Sequence, residues 1–220
     1  RIALYGYAHL PERFKPQRRI VSADLPDGSA RLAMLGHAIE AFTGAGYEYI
    51  GMDHFARPDD ALAVAKREGR LHRNFQGYTT QPECDLLGLG VSAIGRVGHT
   101  HAQNAKTLDA YYHAMNQGRF ATVRGIELDL LRRKVVMDLM CRGRLDFAEV
   151  QAEFGVHVPT CFAEELKRLA PLAAHDLVRL HDDSVQVTAA GWYVVRAVAM
   201  VFDRYLHGSD VSRARFSKVL

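Results

Sequence analysis

The first half of the chain alternates apolar and amphipathic segments in an order that admits few folds. Arg1 to Tyr7 ("RIALYGY") is dense in Ile, Leu, Ala and Tyr and reads as a buried strand. From Asp27 or Ser29 to about Ala45, Leu32, Leu35, Ala38, Ile39 and Phe42 recur at helical spacing, and Gly44 and Gly46 end the run. "YEYIGMDHFA" reads as a second strand running out into a polar loop. "DDALAVAKREG" reads as a helix opened by Pro58-Asp59-Asp60, and "DLLGLGVSAIG" (Asp85 to Gly95) as a third strand. Strand, helix, strand, helix, strand implies an α/β fold of parallel neighbours joined by crossover helices. In such folds ligands sit beyond the carboxyl ends of the strands, where "YAHLP", "MDHFARP" and "GVSAIGR" fall.

A further helix is expected near Asp109–Gln117, and the pattern changes after about Arg124. An arginine-rich helix is expected within residues 127–146, then helical stretches near 149–154 and 160–173. "DLVRLHDDSVQVT" reads as two short strands around the polar turn His181-Asp182-Asp183-Ser184, and "AAGWYVVRAVAMVFDRYL" as a last helix. This predicts residues 1–124 as one unit and 125–220 as a small, mostly helical, winged-helix-like one.

The composition of the 220 residues, 48% hydrophobic and 24% charged, suits a chain with a real core. A net charge of +3 accommodates an anionic ligand but gives nucleic acid little support. No apolar run approaches the ~18 residues of a membrane span, so no membrane partner is expected. Cys84, Cys141 and Cys161 are odd in number and far apart, without a disulfide or zinc pattern, which fits a reducing cytoplasm. A chain entering its first strand at Arg1 without a polar lead-in reads as a piece of a longer one.

Several polar groupings carry two readings each. Asp53, His54, Arg57, Asp59 and Asp60 form either an acid/base pair with an anion clamp or a capped helix start with a local ion pair. His99 and His101, two apart, share a face if extended, yet no third ligand accompanies them, and a surface turn is the alternative. His9 either lines a ligand mouth or is buried and satisfied by backbone. Arg132, Arg133, Lys134, Arg142 and Arg144 either meet phosphate or form a solvated helix face. In "HRNFQGYTT" a Phe ring can stack, a Gln amide can bond a polar ligand and Gly77 permits close approach; otherwise Phe75 or Tyr78 plugs a core edge.

"YAHLP", "GYEYIGMDHFARPDDALAVAKREGRLHRNFQGYTTQ" and "DLLGLGVSAIG", in this order and spacing, closely resemble the oxygen-independent coproporphyrinogen III oxidase family, radical S-adenosylmethionine enzymes of haem biosynthesis. "FAEELKRLAPLA", "VQVTAAG" and the terminal "FSKVL" extend the resemblance along the chain. It implies the last strands of an incomplete TIM-like barrel followed by a helical lid domain. It implies oxidative decarboxylation of two propionates of coproporphyrinogen III to vinyls, through a 5′-deoxyadenosyl radical from S-adenosylmethionine and a 4Fe-4S cluster. An electron donor protein and a cytoplasmic monomer complete what the resemblance suggests.

The family's cluster ligands form a Cys-x3-Cys-x2-Cys motif, which this chain lacks, so no metal residues carry over and no catalytic residue is named. A second S-adenosylmethionine in the family lies against the alanine of "YAH" and the isoleucine of "GVSAI", here Ala8 and Ile94; Phe75 and Gln76 match positions in the same region. "ELDLLRR" after Ile126 is shorter than the family pattern and is expected to lack its helix cap. The alternative function is a haem- or tetrapyrrole-trafficking member of the superfamily without dehydrogenase chemistry. A winged-helix nucleic-acid binder would rest on the arginine-rich helix alone.

Overall fold

A computed structural model describes residues 1–82, 84–119 and 129–204 and the backbone of 122–126. The mixed α/β class is as expected, and none of its sheets closes on itself among the described residues. The pairing differs from the expectation. Strands β1 (Ile2–Ala3), β2 (Glu48–Gly51) and β3 (His54–Ala56) form one sheet in the order β1-β3-β2, with both pairings antiparallel. The anticipated parallel neighbours β1 and β2 are separated by β3. The cause is local: Gly51 (φ 154) and Met52 (φ 54) turn the chain back on itself, so "YEYIGMDHFA" is a hairpin rather than one strand.

Helix α1 (Gly28–Gly44) starts where Asp27 accepts a hydrogen bond from the Ala30 amide, and α2 (Ala61–Arg67) where Asp60 accepts from the Leu62 amide. After α2 the chain forms a small hairpin of β4 (His72–Asn74) and β5 (Gly77–Thr79). The expected strand 85–95 is mostly irregular. Gly90 (φ 95) and Ser92 (φ 59) break it, leaving an isolated Leu86–Arg96 bridge beside β6 (Ile94–Val97). β6 pairs with β7 (Thr100–Asn104), which pairs with β8 (Thr122–Ile126), and α3 (Leu108–Asn116) connects the last two.

The second half runs α4 (Leu130–Arg142), β9 (Arg144–Asp146), α5 (Phe147–Phe154), α6 (Val158–Cys161), α7 (Ala163–Ala174), β10 (Val178–Leu180), β11 (Ser184–Val187), α8 (Ala189–Trp192) and α9 (Val195–Met200). The anticipated hairpin β10–β11 gains β9 as a third strand on β11. The single helix expected from Ala189 is two, and its end beyond Arg204 lies outside the described residues, as does "FSKVL". Its first turn is tied to the hairpin: Thr188 Oγ1 donates to the Asp176 and Leu177 carbonyls, and the Leu177 carbonyl leaves no room for a side chain at Gly191.

Two expectations bear on α4. The family's own cap is absent, and Asp129 takes its place, accepting from the Arg132 amide. Its basic residues are not simply a solvated face. Arg132 bonds Glu165 (2.7 Å) and the Phe202 carbonyl, Lys134 bonds Asp138 (2.5 Å), and Arg142 bonds Glu149 (2.7 Å). Asp138 and Glu165 are buried, and burying a carboxylate demands a paired cation, which holds these guanidinium and ammonium groups against the fold.

The two halves share one apolar core. Ile50, Leu62, Leu71 and Tyr78 pack in the same cluster as Val135, Leu139, Leu145 and Val198. Two polar groups cross this seam: the Tyr78 hydroxyl donates to the Met140 carbonyl (2.9 Å), and Trp192 Nε1 donates to the Ile50 carbonyl (2.9 Å).

Candidate functional site

The hairpin β4–β5 resolves the two readings of "HRNFQGYTT" by assigning one aromatic to each. Tyr78 plugs the core, with 7% of its surface exposed, whereas Phe75 projects from the tip with 57% exposed. Asn74 pairs with Gly77, so Phe75 and Gln76 form the two-residue turn, and Asn74 Oδ1 accepts from the Gln76 amide to brace it. Gly77 (φ 123) passes His54 so closely that a Cβ would lie 3.0 Å from Nε2. A bare ring and an exposed amide on a braced turn are what a planar, polar ligand needs.

Phe75 meets His101 edge to face, with ring centroids 5.2 Å apart. His101 lies on β7 opposite Arg96, and two residues along the same strand Gln103 lies opposite Ile94. Strand β7 therefore relates the hairpin tip to the Ile94 arm. Ile94 is half-buried and follows directly on the irregular Gly88–Ala93 segment.

Ala8 stands on a separate, exposed arm after β1. Gln17 holds that arm with both ends of its amide: Nε2 donates to the Ala8 carbonyl (3.1 Å), and Oε1 accepts from the Leu10 amide (2.6 Å). His9 is half-buried and its Nδ1 has no hydrogen-bond partner, so the backbone-satisfied reading does not hold for that atom. Strand β3 relates this arm to the hairpin. His54 is the cross-strand partner of Ala3 and stands edge-on to the Tyr78 ring at 5.6 Å.

The "DHFARPDD" group divides. Asp53 Oδ1 lies 2.6 Å from His54 Nδ1, and both side chains are largely covered. Asp60 is the α2 cap and pairs with Arg1, whose guanidinium holds its carboxyl below the usual range, while exposed Arg57 and Asp59 pair locally. The capped-helix reading thus accounts for Arg57, Asp59 and Asp60. His99 occupies the exposed β6–β7 turn, and His101 turns its ring to Phe75.

Cys84 and Cys161 are exposed and Cys141 is buried, and among the described residues no three His, Cys, Asp or Glu side chains gather as a metal site. These residues do not fit a 4Fe-4S cluster. The Phe75–Gln76 turn, with Ile94 along β7, does fit the purine and amino-acid groups of S-adenosylmethionine in chemical type.

Sequence reasoning passed over Gln17 and Asn104, whose amide grips the Gly88–Gly90 turn. An asparagine inside a strand, where that residue is a poor former, was the available signal for the last.

Comparison with known proteins extends this picture. Residues 127–194 match the family model described as the HemN C-terminal domain. The whole chain aligns at 48% identity with the oxygen-independent coproporphyrinogen III oxidase of Escherichia coli, covering 49% of that protein. It aligns at 45% with that of Pseudomonas aeruginosa, covering 48% of it, and at 42% with that of Thermostichus vulcanus, covering 68%. The solved Escherichia coli coproporphyrinogen III oxidase HemN, a radical SAM enzyme, superposes over 92% of this chain and 48% of its own, with a TM-score of 0.85 and 49% identity. The chain spans about half the length of the Escherichia coli and Pseudomonas relatives it matches. On these matches, the chain belongs to the oxygen-independent coproporphyrinogen III oxidase family.

Proposed function

We propose that this chain is the C-terminal part of an enzyme that converts coproporphyrinogen III to protoporphyrinogen IX. In this reading residues 1–124 complete a radical S-adenosylmethionine barrel and residues 125–220 form its lid. Each of two propionates loses a hydrogen atom, carbon dioxide and one electron, which passes to a one-electron acceptor, and becomes a vinyl. In the full-length enzyme, S-adenosylmethionine and a 4Fe-4S cluster held outside the described residues would supply hydrogen-abstracting radical chemistry, with electrons from a donor protein.

This chain's own part is to seat a second S-adenosylmethionine. Phe75 offers a ring face to its purine, Gln76 an amide to its polar groups, and Ala8 and Ile94 apolar walls. The observation that carries the reading is the exposed Phe75–Gln76 turn set against β7, the strand that pairs with Ile94. Identity of 48% along the whole chain to a relative of that name supports the reaction. A cytoplasmic monomer is the setting we infer, in keeping with three cysteines far apart in the sequence and without a disulfide spacing.

The test is Gln76→Ala and Phe75→Ala in the full-length enzyme. Loss of one polar contact to a charged ligand should lower product formation about tenfold with cluster iron unchanged. Full turnover in both variants would remove these residues from the site.

A further inference from the structure

We propose that Asn104 is a positioning residue for the Ile94 arm of the site; this rests on the reading of Ile94 as a wall of the second S-adenosylmethionine site. The arm cannot hold itself. Between the Leu86–Arg96 bridge and β6 the chain leaves the ladder and passes through two left-handed residues, Gly90 (φ 95) and Ser92 (φ 59). Such a backbone persists only where its surroundings over-determine it. It is also crowded: a Cβ at Gly88 would lie 2.7 Å from the Ile94 carbonyl carbon, and one at Gly95 would lie 2.7 Å from the Leu86 oxygen. The two passes of chain therefore touch backbone to backbone.

What over-determines it comes from the end of β7. Asn104 Nδ2 donates to the Gly90 carbonyl (2.7 Å) and to the Gly88 carbonyl (3.1 Å). Among the described residues, the Gly90 carbonyl otherwise has only a longer bond from the Ala93 amide (3.4 Å). Only the amide nitrogen can face two carbonyl oxygens, so both of its protons are committed. The Asn104 backbone amide then donates to the Ala93 carbonyl (2.9 Å), the residue before Ile94. Gln103 Nε2 adds a bond to the Ser92 carbonyl (3.2 Å) from the solvent side. Asn104 thus grips the turn on both sides of Leu89 and hands the chain to Ile94. Replacing its nitrogen by oxygen, at constant shape, turns two attractions into two repulsions.

The experiment compares three full-length enzymes: unaltered, Ile94→Asp and Asn104→Asp. The readouts are S-adenosylmethionine bound per chain by equilibrium dialysis, cluster iron and thermal unfolding. Two equivalents are expected for the unaltered enzyme and one for Ile94→Asp. For Asn104→Asp, the second equivalent should bind at least about tenfold more weakly, with cluster iron and the first equivalent unchanged. Two equivalents at unaltered affinity in Asn104→Asp, beside one in Ile94→Asp, would overturn the role of Asn104 while leaving the site itself standing. Two equivalents in Ile94→Asp would overturn the site and this inference together. If Asn104→Asp does not fold, Gln103→Leu, which removes only the outer bond, should weaken the second equivalent about threefold; an unchanged affinity there counts against the proposal.

Discussion

The hydroxyl of Tyr78 donates to the carbonyl of Met140 across 2.9 Å, although the two residues stand 62 positions apart. Met140 is in the last turn of α4 (Leu130–Arg142), where helix carbonyls have no partner of their own kind, so a side chain of the β4–β5 hairpin completes a helix of the second half. Tyr78→Phe should leave that carbonyl short of its bond and reduce unfolding free energy by about 1–2 kcal/mol in denaturant titration. An unchanged midpoint would show that water replaces the phenol.

Gly77 is held at φ 123 with His54 Nε2 3.0 Å from where a Cβ would be. Gly77→Ala should cost about 1–3 kcal/mol through backbone strain alone, plus the crowding of His54. A double-mutant cycle with His54→Ala separates the two: a coupling of at least about 0.5 kcal/mol is expected if the imidazole is what the methyl meets.

Lys66 lies over the Trp192 ring at 4.9 Å and donates to the Tyr49 carbonyl. Burial lowers its pKa to about 8, opposed by the charge of Glu48. Below about pH 8 folded and unfolded states both hold the proton, and the cost of burying the charge is fully present. Between about 8 and the ordinary lysine value only the unfolded state holds it, so stability rises with pH across that window. Relative to Lys66→Met, the protein should gain roughly 2 kcal/mol over this interval, reduced from the full shift because the group is partly exposed. Trp192 is the chain's single tryptophan, and its emission should titrate with a midpoint near pH 8; a flat profile would argue against a charged neighbour.

Glu165 is buried beside Arg132, which also reaches the Phe202 carbonyl. Arg132→Met should cost about 3–5 kcal/mol by stranding the carboxylate. Adding Glu165→Gln should recover part of that loss, since a neutral amide is cheaper to bury than an unpaired charge. If the second change makes matters worse, the pair is not what stabilises this corner.

Much of this was legible in the sequence because local chemistry decided it. Asp27 and Asp60 cap their helices where cap residues precede apolar periodicity, and the β10–β11 hairpin forms around its polar turn. Strand pairing was less legible. Alternation of strand and helix implied parallel neighbours, but the positive φ of Met52, an unusual state for a non-glycine residue, produced a hairpin instead. The site was half legible. Composition marked "HRNFQGYTT" as odd without telling Phe75 from Tyr78, because burial depends on which face of the hairpin meets α4. The partners of Gln17 and Asn104 were not legible, since each side chain holds backbone groups 7 to 16 positions away, which no spacing rule encodes.

The indole of Trp192 donates to the Ile50 carbonyl over 142 positions of sequence, and Ile50 is completely covered. Water cannot take the place of that donor unless the shared core parts. Amide protons of the Glu48–Gly51 strand and of the helix turn carrying Trp192 should therefore exchange with solvent on one clock, as a single cooperative foldon. The boundary between the halves is then a line in the sequence without a counterpart in how the molecule comes apart.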